Sequence, residues 1–334
     1  MASSNPASAE NTTTLAARVA AYIQIARFDH WVKNVFVLPG AVVAMALAPV
    51  PLDSDLLVRL IVGLIAVGLV ASSNYVVNEV RDAEFDAKHP TKSLRPVPSG
   101  KVKPALAYFE WLLLGVVGIG LGSYCGRAYM VTMAVLWGMG CVYNLPPVRS
   151  KDLPYVDVLS EAVNNPLRML AGWFIVGPHA TAPGSLLLSY WMAGCYFMAV
   201  KRFAEYRMID SPERAAAYRK SFAFYNEQRL LVSIMFYGSA AMLFLGAFVV
   251  RYKLELILSF PLIALVMAMY LSISFKMDSA AQAPEKLYRE GWLVASVTAC
   301  AIAMTLLFFA DFPLLHQLVA PTAPTERTPA YEPQ

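Results

Sequence analysis

The chain has 334 residues, of which 58% are hydrophobic and only 15% are charged. Soluble domains are usually about a quarter charged, and the apolar residues here lie in long blocks, so the composition excludes an ordinary soluble enzyme. It indicates a polytopic membrane protein instead. The net charge of +4 is small, and no nucleic-acid partner is expected. The four cysteines form no C-x-x-C pair, which argues against a disulfide framework or a zinc site.

The elements predicted along the chain are those of a membrane bundle. Residues 1–14 are rich in Ser, Ala, Asn and Thr and predict a disordered lead. Residues 15–33 are amphipathic and predict an interfacial helix at the cytoplasmic surface. Residues 34–312 predict an all-α domain of about nine transmembrane helices, since most apolar segments approach the roughly 20 residues needed to cross a bilayer. Residues 313–334 predict a disordered tail. The apolar segments run approximately over 35–50, 56–77, 105–123, 129–145, 156–176, 186–200, 230–250, 254–273 and 292–310.

Basic residues concentrate in alternate loops of this predicted bundle. The loops that follow the second and sixth segments are the most basic, whereas the intervening loops carry few Lys or Arg. Because cytoplasmic loops collect Lys and Arg, the asymmetry predicts a cytoplasmic N-terminus and an external C-terminus. It also predicts that the polar motifs described next lie on the cytoplasmic side of the plasma membrane.

Four polar residues recur at every fourth position where the second segment should leave the membrane: Asn74, Asn78, Asp82 and Asp86. This spacing brings all four side chains to neighbouring positions on one helical face. Carboxylate and amide oxygens are the ligands that Mg²⁺ prefers, and Mg²⁺ commonly bridges to substrate phosphates. The alternative interpretation is a solvated helix end whose acids pair with nearby basic residues.

A basic segment follows this acidic stretch directly. Lys88, Lys92 and Arg95 precede the proline-rich bend at residues 95–100. A rigid turn that holds cations beside metal-binding acids suits a phosphate clamp, so the two stretches together predict a diphosphate substrate. The alternative is an anchor that binds lipid headgroups.

Further polar residues interrupt the fifth apolar segment and the loop before it. Three- to four-residue spacings bring one set of side chains to a shared helical face: Asp157, Glu161, Asn164, Asn165 and Arg168. Tyr143 and Lys151 lie just before them. Charged groups inside a span face a protein interior or a wet cavity, which predicts a functional site. Mutual neutralisation of Glu161 and Arg168 is the alternative.

Two more basic motifs lie at predicted membrane edges. Lys201, Arg202 and Glu205 fall within one turn or so at the end of the sixth segment, and Trp31 and Lys33 precede the first. The cations are candidates for binding phosphate. Snorkelling helix ends and interfacial anchors are the structural alternatives.

With these residues in view, the chain resembles the UbiA superfamily of intramembrane prenyltransferases. The resemblance implies nine transmembrane helices in a UbiA-like bundle and diphosphate substrates bound through Mg²⁺. The first family signature is Asn-Asp followed by Asp at the fourth and eighth positions after the Asn. Here it reads Asn78, Glu79, Asp82 and Asp86, with Glu in place of the second acid.

Within the superfamily, the chain is most similar to the branch of decaprenyl-phosphate phosphoribosyltransferases, whose donor is 5-phosphoribosyl 1-diphosphate (PRPP). The segments 31–34, 89–92 with 95–96, and 201–205 carry this closer resemblance. Typical superfamily members have a second Asp-rich motif after the sixth helix. Here that position has Lys201, Arg202 and Glu205, which suits an additional phosphate.

The resemblance implies transfer of 5-phosphoribose from PRPP to a polyprenyl phosphate, with release of pyrophosphate. Asn78, Asp82 and Asp86 are then the catalytic and Mg²⁺-binding residues, supported by Asn74 and Glu79. The other candidate substrate-binding residues are Lys33, Lys88, Lys92, Arg95, Tyr143, Lys151, Asp157, Arg168, Lys201, Arg202 and Glu205. The product would serve as a precursor of a polyprenyl-phosphate pentose donor for cell-wall polysaccharide, and a homo-oligomer is left open.

Two other functions stay open at this stage. A conventional prenyltransferase would bind a prenyl diphosphate and transfer its chain to an aromatic or quinone-precursor acceptor, and the basic second motif argues against it. An anion transporter is compatible with many spans and polar residues, although no internal repeat is evident.

Overall fold

The computed structural model describes residues 15–48, 50–87, 92–177, 181–209, 211–276, 279–282 and 284–319. Within these ranges the chain consists of helices and connecting turns without β-strands, which confirms the all-α prediction. The α-helices are α1 (Leu15–Ala26), α2 (Leu38–Leu47), α3 (Ser54–Asp86), α4 (Pro104–Gly122), α5 (Arg127–Asn144), α6 (Val156–Ala162), α7 (Asn164–Val176), α8 (Gly184–Arg207), α9 (Pro212–Tyr218), α10 (Glu227–Tyr252), α11 (Phe260–Ser274), α12 (Gly291–Phe309) and α13 (Pro313–Val319). Segments of 3-10 helix are Phe28–Val37, Lys92–Leu94, Ser123–Cys125, Ser150–Asp152, Lys220–Ala223, Leu254–Ser259, Ala280–Gln282 and Pro284–Arg289.

Six helical segments of the described chain have the length and apolar composition needed to cross a membrane. They are Leu15–Leu47, Ser54–Asp86, Pro104–Cys125, Glu227–Tyr252, Leu254–Ser274 and Gly291–Phe309. The other three predicted segments are also helical and correspond to α5, to α6 with α7, and to α8. These helices fall outside that set, so a count of nine crossings stays a prediction.

The two ends of the bundle differ from the sequence prediction. The predicted interfacial helix at 15–33 ends as α-helix at Ala26, because Arg27 adopts a left-handed backbone (φ 50°) and a 3-10 segment follows. The predicted disordered tail at 313–334 begins with a helix, α13. Glu255 attaches this helix to the bundle by accepting hydrogen bonds from the Phe312 amide (3.3 Å) and the His316 ring (2.9 Å). Residues 1–14 and 320–334 lie outside the described residues.

Helix α3 carries the first polar motif beyond the apolar layer. It begins at a cap in which the Asp53 carboxylate accepts a hydrogen bond from the Leu56 amide (2.8 Å). It continues for 33 residues, which corresponds to about 50 Å at 1.5 Å per residue. The hydrocarbon core of a bilayer is only about 30 Å thick, so the last turns of α3 extend past it.

The bundle contains two main apolar cores. One core is formed chiefly by α2, α3, α5 and α7, with Tyr129 and Trp173 fully buried. The other is formed chiefly by α6, α8, α10 and α11, with Phe203 and Tyr196 buried. The apolar part of α3 therefore belongs to one core, whereas its polar end packs in a smaller cluster with α1 and the loop after α3. The polar end of α8 belongs to the other core. The end of the bundle where these two helices terminate is called the site end below.

Glycines permit the close crossing of α2 and α7. A Cβ atom at Gly172 would overlap the Val37 carbonyl and contact the Ala41 amide nitrogen, whereas a Cβ atom at Gly138 of α5 meets nothing within 4 Å. Gly172→Ala should therefore lower the free energy of unfolding by about 1–3 kcal/mol, the usual cost of overpacking. Gly138→Ala should be neutral or slightly stabilising. Unfolding of purified protein in mixed micelles measures both variants, and equal stability would contradict the observed helix crossing.

Candidate functional site

The two aspartates at the end of α3 are paired with cations from two different loops. Asp82 Oδ1 accepts hydrogen bonds from Lys151 Nζ (2.6 Å) and Arg149 Nη2 (3.0 Å). Asp86 Oδ2 accepts one from Arg95 Nη1 (2.6 Å). Burial lowers the pKa of Lys151 to about 8, and the neighbouring Asp82 carboxylate opposes that shift. The loops after α3 and after α5 are thus attached to the same helical face.

Asn78 lies one turn before Asp82 and shares its network. Its side-chain amide donates to Asn144 Oδ1 (2.6 Å), and Lys151 Nζ donates to the same oxygen (2.9 Å). Asn144, at the end of α5, in turn donates to the Gly140 carbonyl (2.9 Å). The structure therefore brings together the three predicted metal ligands of α3 on one face, with α5 behind them.

Glu79 and Asn74 are directed elsewhere. Glu79 is only 1% exposed, and its carboxylate accepts hydrogen bonds from Arg27 (3.4 Å) and from the Val97 amide (3.2 Å). Asn74 donates to the Leu136 carbonyl on α5 (3.0 Å). Glu79 thus holds the loop after α3 and Asn74 joins two helices, and their supporting roles at the metal site stay predictions.

The second half of the site is built around a fully buried carboxylate. Asp157, which is 0% exposed, accepts hydrogen bonds from Tyr225 (2.7 Å) and Ser221 (3.3 Å) and pairs with Arg202 Nε (3.3 Å) and Arg219 Nε (3.5 Å). Four donors around one anion offset the cost of removing it from water. Asp157 therefore fixes two guanidinium groups from separate elements side by side.

These guanidinium groups extend the network toward α5 and along α8. Arg202 Nη1 pairs with Glu205 (2.8 Å), and Arg219 Nη2 donates to the Tyr143 hydroxyl (2.9 Å). Lys201 lies within electrostatic reach of Glu205. Tyr143, Asp157, Arg202 and Glu205 were all predicted site residues, and the structure places them in one connected cluster.

Lys92 lies between the two halves of the site. Its ammonium is 4.8 Å from the centre of the Tyr218 ring and 3.4 Å from the Tyr218 hydroxyl. Burial lowers the pKa of Lys92, while Asp86 on α3 and Glu205 on α8 oppose that shift. Burial also raises the pKa of the Tyr218 hydroxyl to about 12, so this group is protonated at neutral pH. The Lys92 ammonium therefore lies within electrostatic reach of acids on both α3 and α8.

Arg168 differs from the other cations of the site. It is 9% exposed on α7, and its Nε atom has no hydrogen-bond partner among the described residues. An ion pair with Glu161, the alternative raised by their spacing, does not form within the described chain. A buried cation without a counter-charge is costly, and Arg168 is in this state within the described part of the chain.

Two predicted site residues remain, Lys33 and Lys88. Lys33 contacts His30 (3.4 Å) and lies 5.8 Å from the centre of the Tyr75 ring, and its charge acts on Lys201. Lys88 lies outside the described residues.

Sequence reasoning missed Arg149 and Arg219 as site residues. Each lies more than sixty residues from the acid it contacts, Asp82 for Arg149 and Asp157 for Arg219, so no helical spacing links either pair. Three residues with contacts at the site end have a left-handed backbone, which is uncommon for residues other than glycine: Arg27, Arg149 and Tyr155 (φ 50°, 36° and 63°). Such conformations are unfavourable for side chains with a Cβ and persist where surrounding contacts enforce them. Arg27 and Arg149 pair with α3 acids, and the Tyr155 amide donates to Tyr225 (2.5 Å).

The donor set on α3 fits a hard divalent cation. Within the described chain, the cations that pair with Asp82 both use Oδ1, and Arg95 uses only Oδ2 of Asp86. One oxygen of each carboxylate therefore stays available, and Asn78 uses its NH₂ group rather than its oxygen toward Asn144. Oxygen donors of this kind on one helical face suit Mg²⁺.

The helical bundle and its residue pattern match known proteins. A model of the UbiA prenyltransferase family matches residues 37–297. The chain belongs to the UbiA prenyltransferase family. It is accordingly a multi-pass membrane protein and a transferase.

Relatives within the UbiA family cover most of the bundle. The decaprenyl-phosphate phosphoribosyltransferase of Mycobacterium tuberculosis (strain H37Rv) is 31% identical over 215 residues, which are 64% of this chain and 68% of that protein. The Mycolicibacterium smegmatis protein of the same name is 30% identical over 215 residues, 64% of each chain. The structure of a UbiA homolog from Archaeoglobus fulgidus bound to GPP and Mg²⁺ has a TM-score of 0.66 at 19% identity, covering 84% of this chain and 99% of that one. This structural likeness shows the shared fold.

The buried carboxylate of this UbiA family member has a measurable consequence. Asp157→Asn leaves Arg202 and Arg219 without their shared counter-charge, and should lower the free energy of unfolding by about 3–5 kcal/mol. Asp152→Asn is the matched control, since Asp152 pairs with Arg149 and Lys220 but is partly exposed, and should cost at most about 1 kcal/mol. Denaturation in mixed micelles measures both, and similar losses would show that Asp157 has no special structural role.

Proposed function

We propose that this enzyme transfers 5-phosphoribose from PRPP to a polyprenyl phosphate with Mg²⁺ and releases pyrophosphate. The observation that carries the proposal is the cationic second half of the site. Arg202 of α8 and Arg219, which follows α9, are held side by side by Asp157, and Lys201 directly precedes Arg202 on α8. The similarity to the mycobacterial decaprenyl-phosphate phosphoribosyltransferases supports the same reaction.

The half of the site at the end of α3 would bind the diphosphate of PRPP. Asn78, Asp82 and Asp86 would hold Mg²⁺, which supplies positive charge against the diphosphate. Lys151 and Arg95, which pair with these aspartates in the structure, would turn to the diphosphate oxygens. The same cations would then stabilise pyrophosphate as it departs, because they face the position where its negative charge develops.

The second half of the site, which is built around Asp157, would bind the 5-phosphate of the ribose. A planar guanidinium suits bidentate binding of phosphate, and Arg202 and Arg219 are already desolvated and oriented. Lys92 would lie between the diphosphate and the 5-phosphate of PRPP, as its position between Asp86 and Glu205 suggests. A prenyl diphosphate carries no phosphate group apart from its diphosphate, so these cations would have no equivalent partner in conventional prenyl transfer.

The acceptor phosphate would approach from the membrane side of the site. Arg168, with its unpartnered Nε, is the leading candidate to hold it, together with Lys201 and Lys33. A phosphate oxygen would attack the anomeric carbon as the bond to pyrophosphate breaks, with inversion of configuration. The attacking oxygen is already anionic at neutral pH, so the step requires no general base. The polyprenyl chain would lie along the apolar surface of the bundle.

The orientation and cellular role extend the proposal further. The basic loops of the site end favour a cytoplasmic active site in the plasma membrane, where the water-soluble donor would be available. The product would be a precursor of a polyprenyl-phosphate pentose, such as an arabinose donor, for cell-wall polysaccharide.

A direct assay tests the reaction. Purified protein with Mg²⁺, radiolabelled PRPP and decaprenyl phosphate should transfer label to the lipid phase. Asp82→Asn should lower kcat/KM by at least about 100-fold, since it removes a charge that orients the leaving group. Glu290→Gln, which alters a half-buried carboxylate paired with Lys276 outside the site, should leave the rate unchanged. Turnover of a prenyl diphosphate with an aromatic acceptor, or vesicle uptake of an anion without conversion, would overturn the proposal.

The cations of α8 allow a more specific prediction. Lys201→Gln should raise the KM for PRPP or for the polyprenyl phosphate about tenfold or more, as expected for a lost charge-assisted hydrogen bond. Arg207 lies two turns further along α8 and packs over the Phe203 and Phe275 rings, with its guanidinium carbon 5.6 and 5.2 Å from their centres. Arg207→Gln should leave both KM values unchanged. Equal effects of the two substitutions would indicate only a general contribution of positive charge.

A further inference from the structure

A separate cavity of about 380 Å³ lies beside the end of α3, against the loop that follows α5. Its polar lining residues are Arg81, Glu84, Arg149 and Lys220, and Phe85 and Pro146 contribute apolar walls. A cavity of this size is large enough for a small ligand. Three of the four charged groups that line it are positive, which favours an anion.

The cavity opens on a different face of α3 from the predicted metal ligands. At about 100° per residue, Arg81 and Phe85 are centred roughly 80° around the helix from Asp82, and Glu84 lies further round. Asn78, Asp82 and Asp86 line none of the cavity wall among the described residues. The cavity is thus a neighbour of the candidate active site and not a part of it.

The cations that line the cavity either have a nitrogen without a hydrogen-bond partner or pair with acids that lie outside the cavity. The Nε atom of Arg81 is buried without a hydrogen-bond partner among the described residues. Lys220 is mostly exposed and pairs with Asp152 at 3.3 Å. Arg149 is held from two sides, by Asp152 (3.0 Å) and by Asp82 (3.0 Å), and its Nη1 donates to the Arg81 carbonyl (3.4 Å).

We propose that this cavity is a second anion site that binds a phosphate group at the surface of the bundle. Arg81 and Lys220 would contact the phosphate oxygens from opposite sides, and Arg149 would form the inner wall. Guanidinium groups suit phosphate oxygens, and the exposed Phe85 and the adjacent Pro146 suit a position near lipid headgroups. The phosphate group belongs either to a soluble anion or to a phospholipid headgroup.

Arg149 links the two sites. A phosphate group that draws Arg149 into the cavity leaves Asp82 with Lys151 alone, and a carboxylate with fewer cationic partners binds a metal ion more tightly. Anion binding in the cavity and metal binding at Asp82 should therefore strengthen each other reciprocally. This coupling rests on the proposed function, in which Asp82 is a metal ligand, whereas binding in the cavity does not.

Binding of inorganic pyrophosphate tests the soluble source. The full-length protein in phosphatidylcholine nanodiscs is titrated calorimetrically in EDTA, so that the metal-dependent site makes no contribution. Arg81→Gln and Lys220→Gln should each weaken binding about tenfold, and Glu84→Gln should strengthen it about threefold by removing the single acid of the lining. Lys101→Gln, which alters an exposed cation outside the cavity, is the matched control and should have no effect.

Lipid retention tests the other source. Native mass spectrometry of protein released from phosphatidylglycerol nanodiscs should show one fewer bound lipid in Arg81→Gln and Lys220→Gln than in wild type or Lys101→Gln. Either pyrophosphate binding or lipid retention with this residue dependence supports the site and identifies its ligand. If neither depends on Arg81 and Lys220 while all variants melt like wild type, the proposal is wrong.

The coupling has its own readout. Sulfate resembles phosphate in shape but binds Mg²⁺ only weakly, so the Mg²⁺ affinity of the protein can be measured with and without it. Sulfate should raise that affinity about threefold in wild type and leave it unchanged in Lys220→Gln. If pyrophosphate binds the cavity but sulfate leaves Mg²⁺ affinity unchanged, the coupling through Arg149 is wrong while the cavity site stands.

Discussion

Carboxylates at the end of an apolar bundle require counter-charges, and this requirement organises the site end of the protein. Moving an ion out of water costs several kcal/mol unless a partner and additional hydrogen bonds compensate for it. The fully buried Asp157 holds Arg202 of α8 and Arg219 of the segment after α9, and Asp82 holds two cations from the loop after α5. Glu79 similarly holds the loop after α3. Each acid thus fixes a loop against a helix, in addition to the apolar contacts that Val97 and Phe222 of these loops make with the bundle.

The same pairing has a consequence for binding under the proposed function. Asp82 and Asp86 are neutralised by Lys151, Arg149 and Arg95 in the structure. A metal ion alone would leave those cations without partners, and a diphosphate alone would leave the carboxylates without theirs. When both enter together, the cations pass to the phosphate oxygens and the metal ion replaces them at the carboxylates, so every charge keeps a partner. Metal and diphosphate should therefore bind cooperatively, each weakly without the other.

Patterns within one helix were predictable from sequence, and contacts between distant segments were not. Four-residue spacing places Asn78, Asp82 and Asp86 on one face of α3, and apolar segment lengths predicted the all-α bundle. The same spacing included Asn74, but a packing contact with α5 takes its side chain away from the others. Arg219 could not be found by spacing, because it contacts Asp157 across more than sixty residues and lies on extended backbone before a 3-10 segment, which no periodicity specifies. The helix at 313–319 was missed because its contact with Glu255 is tertiary.

Paired and unpaired cations differ in what they require of a ligand. Arg202 already has two carboxylate partners, so a phosphate that binds it must compete with Asp157 and Glu205 or share the guanidinium with them. Arg168 has no such competitor among the described residues, and its burial cost is relieved only when an anion arrives. An unpaired buried charge is a local violation of the rule that Asp82, Asp157 and Arg202 obey, and such violations are expected at functional positions. In the proposed reaction this asymmetry gives the acceptor phosphate the greatest net gain at Arg168, whereas the donor is recognised by exchange of existing ion pairs. Both substrates present phosphate groups, but the donor binds cations that already have carboxylate partners, whereas the acceptor binds one that has none within the described chain.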